Sequence, residues 1–147
     1  MQRTIEQELA LRGHGLFQTV GDSMEPLLHN RKSTVVIEIP KNMLKKYDVA
    51  LYRRPGGEYV LHRVIKVVEN AYIICGDNRI HREKVPADWV IGVMTGYYKD
   101  ERNNYVSCED EIYRKYLRTL KWRYWRLLLQ ALFRRVRRKF RQKSSGR

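Results

Sequence analysis

The apolar residues of this chain change their spacing once, near residue 109, and that change of period limits the fold more than any other feature. Before it, short runs rich in Val, Ile and Tyr are separated by turn residues, the pattern of strands. After it, apolar residues recur every three or four positions, the pattern of a helix with one apolar face. Strands therefore come first and helix last, with no helical crossovers between strands. That order predicts a mainly β fold of coiled antiparallel sheets or a partly open barrel, not a doubly wound parallel sheet.

The details fill in this outline. Residues 4–11 read as a short helix capped by Thr4 and broken by Gly13 and Gly15. Six strands are expected at Leu16–Val20, Ser33–Ile39, Asp48–Arg53, Glu58–Val68, Ala71–Cys75 and Val90–Tyr97. Pro40 closes the second, Pro55-Gly56-Gly57 turns the third into the fourth, and Glu69-Asn70 turns the fourth into the fifth. Tyr113, Tyr116, Leu117, Leu120 and Tyr124 open a three-and-four spacing that predicts one or two amphipathic helices over 111–141. Residues 143–147 are expected to be disordered. The chain thus divides into a helix and linker (1–15), a β-domain (16–108) and a helical tail (109–147).

Charge follows the same division. Residues 1–110 carry sixteen Lys/Arg against fifteen Asp/Glu, whereas residues 111–147 carry fourteen Lys/Arg against Glu111 alone. A nearly neutral domain with a tail of net +13 calls for a polyanionic partner: anionic lipid, nucleic acid or an acidic protein face. No secretory signal is expected, because the first residues lack an apolar core and include Glu6 and Glu8. No membrane-spanning helix is expected either, since the longest uncharged stretch of the tail is Leu127–Phe133. A length of 147 residues excludes a large two-domain enzyme, and Cys75 and Cys108 alone do not make a disulfide framework.

The residues that could carry chemistry lie in the β-domain. Ser23 stands in Gly21-Asp22-Ser23-Met24-Glu25-Pro26, a tight turn that could hold its hydroxyl outward and supply backbone donors. A serine needs an adjacent base, and His62 in Val60-Leu61-His62-Arg63-Val64 is the candidate. His14, His29 and His81 have weaker contexts. Asp77, in Gly76-Asp77-Asn78 at a strand end, could orient a protonated histidine, and Glu83 is a second candidate acid. Taken singly, each is as ordinary as a polar turn, a core histidine or a surface acid.

Together these boxes, with Tyr47–Tyr52 and Val90-Ile91-Gly92, resemble the type I signal peptidase family over residues 16–98. The histidine box is similar to the endoplasmic-reticulum and archaeal branch, which uses Ser–His rather than Ser–Lys. The resemblance implies a serine endopeptidase without metal or cofactor, acting on a peptide or preprotein and cutting after small residues. It assigns Ser23 as nucleophile, His62 as general base and Asp77 as acid. Glu83 would stand in for the later acid of the family, because Arg82-Glu83 occupies the place of its Asp-Asp pair. The Ser-Met-x-Pro box is shared with LexA-type self-cleaving repressors. The alternative function is accordingly a non-catalytic or self-cleaving regulatory or binding module tethered by its tail.

Three readings of the tail remain open at this point. Its apolar face could pack on the β-domain, or residues 111–141 could lie in the plane of an anionic membrane with Trp122 and Trp125 at headgroup level. A nucleic-acid partner is disfavoured, because no DNA- or RNA-binding motif is present. The expected location is peripheral on a membrane, with the cytoplasm as the alternative.

Overall fold

The computed structural model describes residues 3–100 and 104–144, the last three of these for the backbone alone. The amino-terminal helix α1 (Ile5–Arg12) starts where the sequence places it. The Thr4 side chain accepts from the Gln7 amide and the Gln7 side chain accepts from the Thr4 amide, a capping box. Gly13, at φ 75°, ends the helix by donating its N–H to the Leu9 carbonyl.

Eight antiparallel strands follow: β1 (His14–Gln18), β2 (Thr34–Glu38), β3 (Val49–Arg53), β4 (Tyr59–Val68), β5 (Ala71–Cys75), β6 (Glu83–Pro86), β7 (Val90–Tyr98) and β8 (Tyr105–Ser107). They form one sheet in the order β1-β2-β7-β3-β4-β5-β6. β8 pairs with the last residues of β7, on the edge whose first residues pair with β3. The sheet does not close, so β1 and β6 are its free edges. β1 begins at His14 rather than Leu16, because Gly13 releases the chain directly into the strand. Leu16 consequently faces solvent while Phe17 packs on the core. β6 and β8, absent from the sequence reading, are only four and three residues long.

Both faces of the sheet are covered, as β3 illustrates. Its alternate residues Val49 and Leu51 join Val35, Ile37, Met94 and the turn residues Met24, Leu27 and Leu28. Ala50 and Tyr52 face the other way, onto Val64, Tyr72, Ile74 and Val85. Period-two alternation thus divides one buried strand between two cores.

The tail is a single helix, α2 (Glu111–Ser144), about 50 Å long. Tyr113 and Leu120 are buried against the domain, whereas every residue from Leu132 to Arg141 is exposed. The disorder expected from residue 143 is corrected for Lys143 and Ser144, which continue the helix; residues 145–147 lie outside the described residues. No described helix is long and apolar enough to cross a membrane.

One charged cluster joins sheet, loop and helix. Arg63 of β4 is fully buried, and its guanidinium forks onto Asp77 through Nε–Oδ1 and Nη2–Oδ2, both at 2.6 Å. Its Nη1 donates to the Tyr47 carbonyl and the Tyr113 hydroxyl, each at 2.8 Å. Tyr116 donates its hydroxyl to Asp77 Oδ2 at 2.8 Å. Asp77 and its hydrogen bonds hold the guanidinium charged despite its burial. Breaking such a pair strands a buried charge, which costs about 3–5 kcal/mol. Asp77→Asn should therefore lower the free energy of unfolding by about that amount in chemical denaturation. The double variant Arg63→Met/Asp77→Leu should regain part of the loss, because neither charge is left alone. A loss under about 1 kcal/mol for Asp77→Asn would show that the cluster does not anchor the fold.

Candidate active site

Ser23 is presented by a turn that is held from both sides. On its carboxyl side Met24, Leu27 and Leu28 are buried in the core, and the Glu25–Pro26 peptide is cis. On its amino side Gly21, at φ 94°, donates its N–H to Asn30 Oδ1 at 2.8 Å. The loop after β5 lies directly against this turn. Asn78 donates its amide to the Ser23 carbonyl at 2.8 Å, and Arg79 pairs with Asp22 at 2.5 Å. A Cβ on Gly76 would sit 2.7 Å from the Ser23 carbonyl oxygen, so only glycine allows the approach. Among the described residues, nothing accepts a hydrogen bond from the Ser23 or Met24 amide.

His62 reaches this turn from β4. Its Nε2 is 2.9 Å from Ser23 Oγ, within hydrogen-bond reach. Residues 59–62 pair with β3 on one edge only, because β5 joins β4 from Arg63 onward. That free edge and residues 17–21 line a cleft of about 380 Å³ together with Ser23 and His62. Its apolar wall includes Met24, Leu28, Val35, Ile37 and Leu51.

The two candidate acids are bonded to other partners. Asp77 has both oxygens occupied by Arg63 and Tyr116. Glu83 accepts from Arg54 Nε and Nη2 and from the Tyr52 hydroxyl at 2.7–3.0 Å. Among the described residues no hydrogen bond joins either carboxylate to the His62 ring. Glu83 and, more weakly, Asp77 act on His62 through their fields, against burial and the cations Arg54 and Arg79. Of the other histidines, His29 is bonded to Asp100 at 2.5 Å, and His14 and His81 are exposed away from the cleft. No group of three His, Cys, Asp or Glu among the described residues could hold a metal ion.

Several residues of the site escaped the sequence reading. Gly76, Asn78 and Arg79 belong to a box that was legible, but their task of bracing the Ser23 turn was not. Arg54 gave no signal, lying after β3 in an ordinary basic pair. Tyr113 and Tyr116 were read as one face of a tail helix, which they are, with no sign that they serve Arg63 and Asp77. Comparison with protein-family models and with curated proteins gives no match.

Burial pushes the His62 imidazole below its ordinary value of 6.5, and the positive charge of Arg54 adds to the effect. A base depressed in this way stays neutral, and able to accept a proton, at pH values where a free imidazole is already charged. The midpoint of His62 protonation, followed by NMR of the ring protons, should lie below 6.5. Arg54→Gln should raise it, by removing a cation and freeing Glu83. A midpoint at or above 6.5 in the unmodified protein, or a downward shift in the variant, would contradict this electrostatic picture.

Proposed function

We propose that this chain is a serine endopeptidase of the signal-peptidase type, working through a Ser23–His62 pair. The observation that carries the reading is the 2.9 Å approach of His62 Nε2 to Ser23 Oγ beside an apolar cleft. Depression of the His62 value supports it, since the neutral ring is the form that accepts a proton. The finer fold assignment, a signal-peptidase-like rather than merely open antiparallel sheet, is part of the same proposal. So is the place of Glu83 as the later acid, in a role limited to its field.

The substrate is a peptide or preprotein segment in extended form. It would lie between the free edge of β4 at residues 59–62 and the segment 17–21, adding its backbone to the sheet. Cleft residues such as Val35, Ile37 and Leu51 favour small apolar side chains next to the cut bond. Ser23 Oγ attacks the carbonyl carbon as His62 Nε2 takes the hydroxyl proton. The Ser23 amide, with no acceptor among the described residues, is a backbone donor available to the developing oxyanion. Collapse of the tetrahedral species breaks the C–N bond, and His62 returns the proton to the leaving amine. Water then attacks the acyl ester with His62 again as base, releasing the carboxylate and regenerating Ser23. For Nε2 to accept, His62 must carry its proton on Nδ1, and no third side chain among the described residues holds that nitrogen.

The test is labelling of the full chain with a fluorophosphonate, alongside cleavage of a peptide library. Mass spectrometry should place the label on Ser23. Ser23→Ala and His62→Ala should each lower cleavage by about 10⁴-fold or more. Ser23→Ala should change stability by no more than about 0.5 kcal/mol. Retained cleavage in Ser23→Ala, or a label on another residue, would remove the peptidase reading.

A further inference from the structure

The exposed half of α2 has an organisation that the active site does not use. Tyr113, Tyr116, Leu117, Leu120 and Tyr124 lie along one side of the helix, and this side packs on the β-domain. Farther along, Trp122, Trp125, Leu129, Phe133, Val136 and Phe140 fall on a second stripe. At 3.6 residues per turn this stripe lies roughly half a turn from the docking side, so it points away from the domain. Trp122 is 81% exposed, Phe140 71% and Phe133 69%. The stripe runs about 27 Å along the helix. Apolar surface this long and continuous on a protein exterior marks a binding face.

Charge identifies what covers it. Arg126 and Arg137 border the stripe on one side, and Lys121 and Lys139 on the other. No acidic residue follows Glu111. A second copy of the chain would bring two such cationic segments together, which repel. A membrane with anionic headgroups satisfies both features. Indole and phenyl rings enter the interface, and the flanking Lys and Arg reach the phosphates on stems that lie along the apolar boundary. We propose that α2 lies in the plane of an anionic membrane surface, with the Trp122–Phe140 stripe inserted and the β-domain held on the opposite, solvent-facing side of the helix.

The same helix touches the Ser23 turn. Arg123 Nη2 donates to the Glu25 carbonyl at 3.3 Å, and Tyr116 holds Asp77 in the adjoining loop. Attachment through the outer stripe therefore fixes the pose of the cleft relative to the lipid. The membrane proposal itself stands on residues outside the Ser23–His62 pair, and either can fail without the other.

The experiment uses the full chain with vesicles of phosphatidylcholine alone or mixed with phosphatidylglycerol, read by co-sedimentation and tryptophan fluorescence. Binding and a blue shift should need phosphatidylglycerol and weaken with salt. Trp122→Ser/Phe133→Ser should reduce partitioning by about tenfold or more. Arg126→Gln/Arg137→Gln should also reduce it and flatten the salt dependence. Both pairs are on the exposed side, and circular dichroism should find helix content and the thermal transition unchanged. Equal partitioning of the Trp/Phe variant would overturn the proposal, as would failure to bind either vesicle. So would a dimer that the Trp/Phe variant abolishes, or preference for duplex DNA over vesicles in competition.

Discussion

A charge buried in the middle of β4 sets the terms for the rest of the molecule. Arg63 cannot be left unpaired at full burial, and its planar fork demands a carboxylate in its own plane. Asp77 supplies that carboxylate, which ties the loop after β5 to β4 and α2. Tyr113 and Tyr116, three residues apart on one face of α2, complete the shell and seat the helix. Strand alternation gives the pair its consequence for function. Arg63 and His62 are neighbours on a strand and point to opposite faces. Fixing Arg63 in the buried cluster fixes the direction of His62, while Gly76 and Asn78 of the same loop fix the backbone of Ser23. Ser23 and His62 are thus positioned by one ion pair that neither of them touches.

This arrangement changes the role of the acid. In a three-member relay the carboxylate bonds the histidine directly and stabilises its charged form. Here the carboxylate that the sequence offers is used to balance Arg63, and Glu83 is shared between Arg54 and Tyr52. His62 is left in a partly dry environment that favours the neutral ring. A ring so placed is ready to accept a proton, at the expense of weaker support for its charged form. The nearby positive charge of Arg54 tips the balance the same way.

The legible parts of the sequence were those governed by local periodicity and local chemistry. The capped amino-terminal helix, the hairpin at Glu69-Asn70 and the long helix all declare themselves within a few residues. The Ser23–His62 approach was legible as well, though only from motifs considered together. What failed to show was whatever depends on distant partners. β6 and β8 are too short to display a period, and they exist because β5 and β7 offer them an edge. Asp77 stands where a catalytic acid could stand. Only the burial of Arg63, a residue that reads as polar and exposed in a strand, reveals where its charge goes.

The tail shows the same limit in another form. Three-and-four spacing announces an apolar face but not which neighbour it meets, and α2 has two such faces on opposite sides. Leu117, Leu120 and Tyr124 belong to the first, Trp122, Leu129 and Phe133 to the second, roughly half a turn away on the same helix. Packing on the domain and contact with an outside surface, which the sequence presents as rival readings of one stripe, are therefore compatible properties of two stripes. It follows that residues 111–124 cannot be separated from the β-domain. Their removal would uncover the core at Leu120 and take Tyr113 and Tyr116 from the Arg63–Asp77 cluster. The segment beyond Tyr124 carries most of the outward stripe and most of the arginines, so loss of that part alone spares the buried core and the scaffold that brings Ser23 and His62 together.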